Sequence, residues 1–131
     1  MIVTLHVATG AAVGAAAGSR RAAIGLGLLA HLVGDGIPHH DIPSRRFEAR
    51  SGVALLLLIS LRRGPFDPAT LGAAAASSPD LEHVLRLPRP RGRKLFPSHR
   101  FHGWHREGGL PAWVQLVTAG VLAGIVVARR A

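Results

Sequence analysis

The sequence predicts an all-α protein: one domain over residues 1–131, a small bundle of about five short helices, at least partly membrane-embedded. Three observations predict it. Apolar residues make up 48% of the chain but aromatics only 5%, with no tyrosine. The apolar weight therefore falls on Ala, Leu, Val and Gly, which suits closely packed helices better than sheets built from β-branched and aromatic residues. Nine prolines and sixteen glycines interrupt the chain, so its helices must be short. Finally, Leu110–Ala128 contains no charged residue, close to the ~20 residues that cross a bilayer's hydrocarbon.

The elements follow in order. Residues 2–18 are apolar except for Thr4, His6 and Thr9, and read as a first helix. Gly10, Gly14 and Gly18 fall four apart, so they share a face with His6, and such a ridge lets a second backbone approach closely. No basic residue precedes this run and a histidine lies inside it, so a retained helix is expected rather than a cleaved leader. Arg20-Arg21 is read as a turn. A second helix over 22–37 carries His31 and Asp35 and ends at Pro38, before the polar corner His39-His40-Asp41-Ile-Pro-Ser44. Ser44 caps a third helix, basic at both ends and strongly apolar from Val53 to Leu61. Asp67 or Pro68 opens an alanine-rich fourth helix. It breaks at Ser77-Ser78-Pro79 and restarts with Ser78 as N-cap.

Residues 86–106 hold seven of the sixteen basic residues and read as an exposed, irregular, basic loop. In the last segment Trp113 sits where an interfacial anchor would, and Arg129 and Arg130 close the far end. Only the first and last helices approach spanning length. Basic residues flank nearly every helix, so no orientation follows. A helical domain with a buried C-terminal helix is the competing reading.

The absence of cysteine excludes disulfides and thiolate metal sites, leaving imidazole nitrogen and carboxylate oxygen as metal ligands. The formal charge of +9, carried by one lysine and otherwise arginine, suits anionic headgroups or a phosphate substrate. No motif points specifically to nucleic acid.

The chemistry concentrates in three groups. In His31-Leu-Val-Gly-Asp35, imidazole and carboxylate stand one above the other on a helix, so both can bind one divalent cation. The carboxylate lies among leucines and valine, where it is costly unless compensated. His39, His40 and Asp41 could curl back to complete the site. The alternative is a His–Asp hydrogen bond that tightens packing. In Pro79-Asp80-Leu-Glu82-His83, Asp80 and His83 share a face, Glu82 points elsewhere, and a capping role for Asp80 is the competing reading. In His99-Arg-Phe-His102-Gly-Trp-His105, one or two histidines are expected as ligands, with Arg100 or Arg106 to neutralise a phosphate. No serine-nucleophile elbow, phosphate loop or His-Glu-x-x-His motif is present.

These segments resemble a known family. His6-Val-Ala-Thr-Gly10, Ser78-Pro-Asp80-Leu-Glu-His83 and His99-Arg-Phe-His102 are similar to motifs of the predicted membrane-bound metal-dependent hydrolases of bacteria. Those carry an N-terminal His near a Gly, a Pro-Asp-x-Asp-His motif and a following His-Arg-Gly-x-Thr-His. The stretch from His31 to His39 also resembles the metal-binding helix of zinc-dependent phospholipase C and the single-strand-specific nucleases. Here Glu82 stands where the family has its second Asp, and the His99 motif lacks the Thr. The resemblance implies an integral protein of the inner membrane in which His6, His31, Asp35, Asp80 and His83, with His39, His40, His99 or His102, hold one to three Zn²⁺ ions. It further implies hydrolysis of a phosphoester, possibly lipid-linked, by water activated on the ion, with Asp35 bridging metals or acting as base and Arg100 steadying the charge. Two other functions fit the residues: a non-catalytic helical membrane protein that binds anionic lipid, and a metal-handling membrane component.

Overall fold

The computed structural model describes residues 1–85 and 87–129, and these are all-helical. The helices are α1 (Val3–Ala16), α2 (Arg20–Gly36), α3 (Arg45–Arg63), α4 (Pro68–Ser77), the single turns α5 (Leu81–Val84) and α6 (Pro97–Arg100), and α7 (Ala112–Ala128). Short 3₁₀ turns lie at Ser78–Asp80 and Pro90–Gly92.

Local signals explain most boundaries. Ser19 caps α2 by accepting from Ala22 N at 3.2 Å, so Arg20 and Arg21 open this helix and do not form the expected turn. Ser44 caps α3 through Phe47 N, and Asp67 caps α4 through Ala69 N at 2.8 Å, with Pro68 in the first helical position where its missing N–H costs nothing. Gly64 ends α3 at φ 100°, a conformation that suits glycine. Ser78 does not cap the restart after α4, because its hydroxyl donates back to Ala75 O at 2.9 Å.

α1 is the centre of the bundle, packed by α2, α4, α3 and α7. It is apolar all round for that reason. On one side Val7 and Ala11 meet Ile59, Ala69, Ala73 and Val126; on another Ile2, Leu5 and Ala8 meet Ala119. α4 wedges against both α1 and α2 through glycine. A methyl group on Gly10 would collide with Gly72 O and Ala76 Cβ, one on Gly14 with Pro68 O, and one on Gly27 with Gly72 O. Gly18 is not part of this ridge; it lies at φ 68° beyond the end of α1, with open space around it.

Among the described residues no helix is long and apolar enough to cross a membrane, which corrects the expectation for the first and last helices. α1 has 14 residues and α7 has 17. At 1.5 Å per residue, α7 is about 25 Å long, against about 30 Å of hydrocarbon. Pro111 fixes its start, and the backbone turns extended at Arg129. α3 is longer, at 19 residues, but carries Arg45, Arg46, Glu48, Arg50, Arg62 and Arg63. Arg86 and Arg130, which entered the expectations for the basic loop and the chain end, lie outside the described residues. The loop is irregular and largely exposed as expected, except where Ser98 and His99 turn inward.

Candidate metal centre

Four separate segments bring ligand-type side chains to one end of the bundle. His6 comes from the first turns of α1, His31 and Asp35 from the second half of α2. Asp80 comes from the 3₁₀ turn after α4, and Ser98 and His99 from α6. The tight α1–α2–α4 packing sets their spacing. His6 and His31 stack with ring centres 4.0 Å apart.

Asp35 is the hub and is only 2% exposed. Its Oδ1 lies 3.0 Å from His6 Nε2, and its Oδ2 lies 3.0 Å from His31 Nε2 and 3.3 Å from His99 Nε2. Ser98 Oγ donates to Oδ2 at 2.6 Å. The i, i+4 reading of His31 and Asp35 holds. Asp80 Oδ1 lies 3.8 Å from His99 Nε2. His31 Nε2 and His99 Nε2 face each other at 3.3 Å.

The far side of each imidazole is committed elsewhere. His31 Nδ1 donates to Ala76 O at 2.7 Å, and His99 Nδ1 donates to Glu82 Oε1 at 2.5 Å. Both Nε2 atoms are thereby directed inward, as where a hydrogen bond to the far ring nitrogen orients a histidine ligand in metal sites. Glu82 also accepts from Leu95 N at 2.7 Å and Phe96 N at 3.4 Å. Burial alone would raise the Glu82 carboxyl, but these amides and the His99 ring hold it below its usual value. Burial pulls His99 down, and Asp35 and Glu82 outweigh it, leaving the imidazole raised. Burial pushes Asp80 up to about 6, opposed by His31 and His99 and reinforced by Asp35.

Two buried polar atoms in this centre, His6 Nδ1 and Asp80 Oδ2, have no hydrogen-bond partner. Among the described residues, three groupings have ligand atoms close enough together to hold a metal ion. They are His6–His31–Asp35, His31–Asp80–His99 and His39–Asp41–His105.

Other expected ligands lie elsewhere. His83 does not join Asp80 at the centre: Asp80 is half-buried and faces His99, whereas His83 is exposed, its ring packed edge-on against His99 at 4.3 Å and its Nδ1 3.3 Å from Lys94 Nζ. Partial desolvation of its ring where it packs on His99, with the charges of His99 and Lys94 adding to it, lowers His83 to about 4. His40 is exposed and takes part through its backbone, its carbonyl accepting from Gln115 Nε2 at 2.8 Å. His102 is exposed, as is Arg100, whose guanidinium lies over the Phe101 ring. His39 is buried, but its Nε2 faces Asp41. The Met1 nitrogen touches that Nε2 and lies 3.2 Å from Asp35 Oδ1, so the two groups adjoin.

Glu82 and Ser98 complete the centre although sequence reasoning gave neither a role. Glu82 had a signal, since it stands where the resembling motif carries a second acid. Ser98 had none beyond its place next to His99. Compared with protein-family models, with curated proteins and with solved structures, the chain matches none.

Proposed function

We propose that this chain is a membrane-associated, metal-dependent hydrolase of phosphoesters, with zinc held by His31, Asp35, Asp80 and His99. One observation carries the metal. Zinc ligands at about 2.0–2.1 Å in a tetrahedron stand about 3.3 Å from one another. In this centre four of the six separations are 3.0, 3.3, 3.3 and 3.8 Å. Two inward imidazole lone pairs at 3.3 Å repel unless a proton or a cation lies between them, and the unpartnered oxygen of Asp80 favours the cation. His6 Nε2 and the Met1 nitrogen approach the other oxygen of Asp35, at 3.0 and 3.2 Å.

A bound zinc ion would supply Lewis acidity and lower the pKa of coordinated water. The chain's own residues hold and orient it: Ala76 O fixes His31, Glu82 fixes His99, and Ser98 steadies Asp35. Arg100, exposed and next to His99 in the chain, is the residue proposed to steady phosphoryl charge. The motif resemblance supports hydrolysis.

The outer surface supports the membrane. Leu29 and Val33 on α2 with Ile37 just past its end, Val53, Leu57 and Leu61 on α3, and Trp113, Val117, Val121 and Ile125 on α7 are all exposed, each set spaced by four. Contiguous apolar faces of this kind mark contact with a membrane or another protein. Arginines at both ends of α3 suit anionic headgroups. A lipid-linked phosphate is the substrate class this placement favours.

A second reading has its own observation. The centre has four protein ligands, and His6, His31 and Asp35 are almost wholly buried; closed four-ligand zinc sites are structural. The test is hydrolysis of bis(p-nitrophenyl) phosphate and of phospholipid in vesicles by the zinc-loaded chain. Activity lost in His31→Ala and Asp35→Ala supports the enzyme. Bound zinc without hydrolysis assigns the structural role, and neither zinc nor activity defeats both.

A further inference from the structure

The third grouping adjoins the buried centre through the Met1 nitrogen but shares no residue with it, and it differs in exposure. His39 Nε2 lies 3.2 Å from Asp41 Oδ1, and His105 Nε2 lies 3.5 Å from Asp41 Oδ2. The rings of His39 and His105 meet edge-on at 4.4 Å. His39 Nδ1 donates to Ile37 O at 2.7 Å, so the Nε2 lone pair faces Asp41 and the Met1 nitrogen, an amine that a bound cation would displace or take as a further ligand. The imidazole of His39 is buried, while Asp41 is 58% and His105 39% exposed. One face of the triad therefore opens to solvent.

The fold brings His105 across 66 residues by a dedicated clamp. His39 N donates to Arg106 O at 3.2 Å, His40 N to Leu110 O at 3.0 Å, and Leu110 N to Pro38 O at 2.9 Å. Gly109, at φ 75°, packs against Pro38 so closely that a side chain there would collide with its carbonyl. Gln115, fully buried, ties the corner down by donating to His40 O and Leu110 O while its Oε1 accepts from Ile2 N. The exposed ends of this triad are thus held in register by backbone, not by their own side chains.

We propose that His39, Asp41 and His105 form a second metal site, for zinc or a zinc-like divalent cation, with one coordination position open to solvent that accepts a phosphate oxygen. The chemistry is that of catalytic zinc sites, where three nitrogen or oxygen ligands leave a fourth position for water or substrate. This inference rests on the reading of the chain as a phosphoester hydrolase only for the role of phosphate; the metal site stands on its own geometry.

The experiment uses the full chain, stripped with chelator and titrated with Co²⁺, whose visible absorption reports each site. Bound ions are counted by elemental analysis. Asp41→Asn and His105→Ala are expected to bind one ion fewer than wild type, or that ion at least about tenfold more weakly. His31→Ala is expected to lose the buried ion and keep the solvent-facing one. Inorganic phosphate should shift the Co²⁺ spectrum of wild type and His31→Ala, and leave Asp41→Asn and His105→Ala unshifted. Circular dichroism confirms that each variant is folded, and the exposure of Asp41 and His105 makes their replacement mild. Unchanged stoichiometry and affinity in Asp41→Asn and His105→Ala overturn the site. A phosphate shift that survives in them overturns the open position. Loss of all cobalt in His31→Ala alone also overturns it, because the two sites would then be one. Failure of the buried centre shows instead as wild type binding a single ion that His31→Ala leaves untouched.

Discussion

Glu82→Gln separates a carboxylate that serves a metal centre from one that merely fills a gap. Glu82 never touches the ion position; it acts through His99. Its Oε1 takes the Nδ1–H of His99 at 2.5 Å and its Oε2 takes Leu95 N at 2.7 Å. Glutamine keeps the volume but turns one oxygen into a donor, which must face either His99 Nδ1–H or Leu95 N–H. One hydrogen bond is lost in either orientation, a cost of about 1–3 kcal/mol to the metal-free fold. The imidazole also loses the negative charge that raises its basicity. Replacing such outer-shell partners costs roughly 10–100-fold in metal affinity, about 1.4–2.7 kcal/mol. Competition against a fluorescent zinc chelator measures the affinity, and a thermal melt of chelator-treated protein measures the stability. Affinity within twofold of wild type would refute the orienting role, whatever the melt shows.

Gly10→Ala should destabilise by about 1–3 kcal/mol or more, because the methyl meets the Gly72 carbonyl, which cannot swing aside. Gly25→Ala, with open space around it on the same bundle, should be neutral or stabilising by up to about 1 kcal/mol; urea melts that fail to separate the two would contradict the α1–α4 contact. The Asp80 carboxyl, pushed up to about 6 by burial, sits above its unfolded value of about 3.9. Its contribution to folding is therefore full below pH ~4 and lost as the pH rises through about 6. A cation that favours the ionised form reverses that loss, so zinc should raise the melting temperature more at pH 7 than at pH 5; an equal or larger gain at pH 5 would contradict it. The chain should float with anionic phospholipid vesicles in a density gradient, and Val117→Glu combined with Val121→Glu on the exposed stripe of α7 should leave it at the bottom.

The helical skeleton was legible because its punctuation is local: Ser44, Asp67-Pro68 and Gly64 act within a turn of themselves. His31 and Asp35 were legible because 3.6-residue periodicity alone puts them on one face. The glycines of α1 correctly marked a close helix contact, although the contacting partner, Gly72, lies 58 residues beyond Gly14 in the chain and no periodicity names it. Ser19 was a cap hidden by the two arginines after it. Asp80 and His83 both adjoin His99, but His83 stays exposed while Asp80 is half-buried, a difference that i, i+3 spacing does not encode. The division of the histidines into a buried and a solvent-facing group depends on where residues 106–110 fold back onto 38–40, a long-range event without a local signature. The last helix looked long enough to span because absence of charge was read as helix; Pro111 and the extended Arg129 trim it.

The most direct measurement is the metal content of the chain purified without added metal, by mass spectrometry, for wild type and for Asp35→Ala side by side. Wild type is expected to retain zinc through gel filtration and Asp35→Ala to carry at least one ion fewer, since that carboxylate touches His6, His31 and His99 together. A folded wild-type chain that carries no metal and takes up none from micromolar zinc would contradict it.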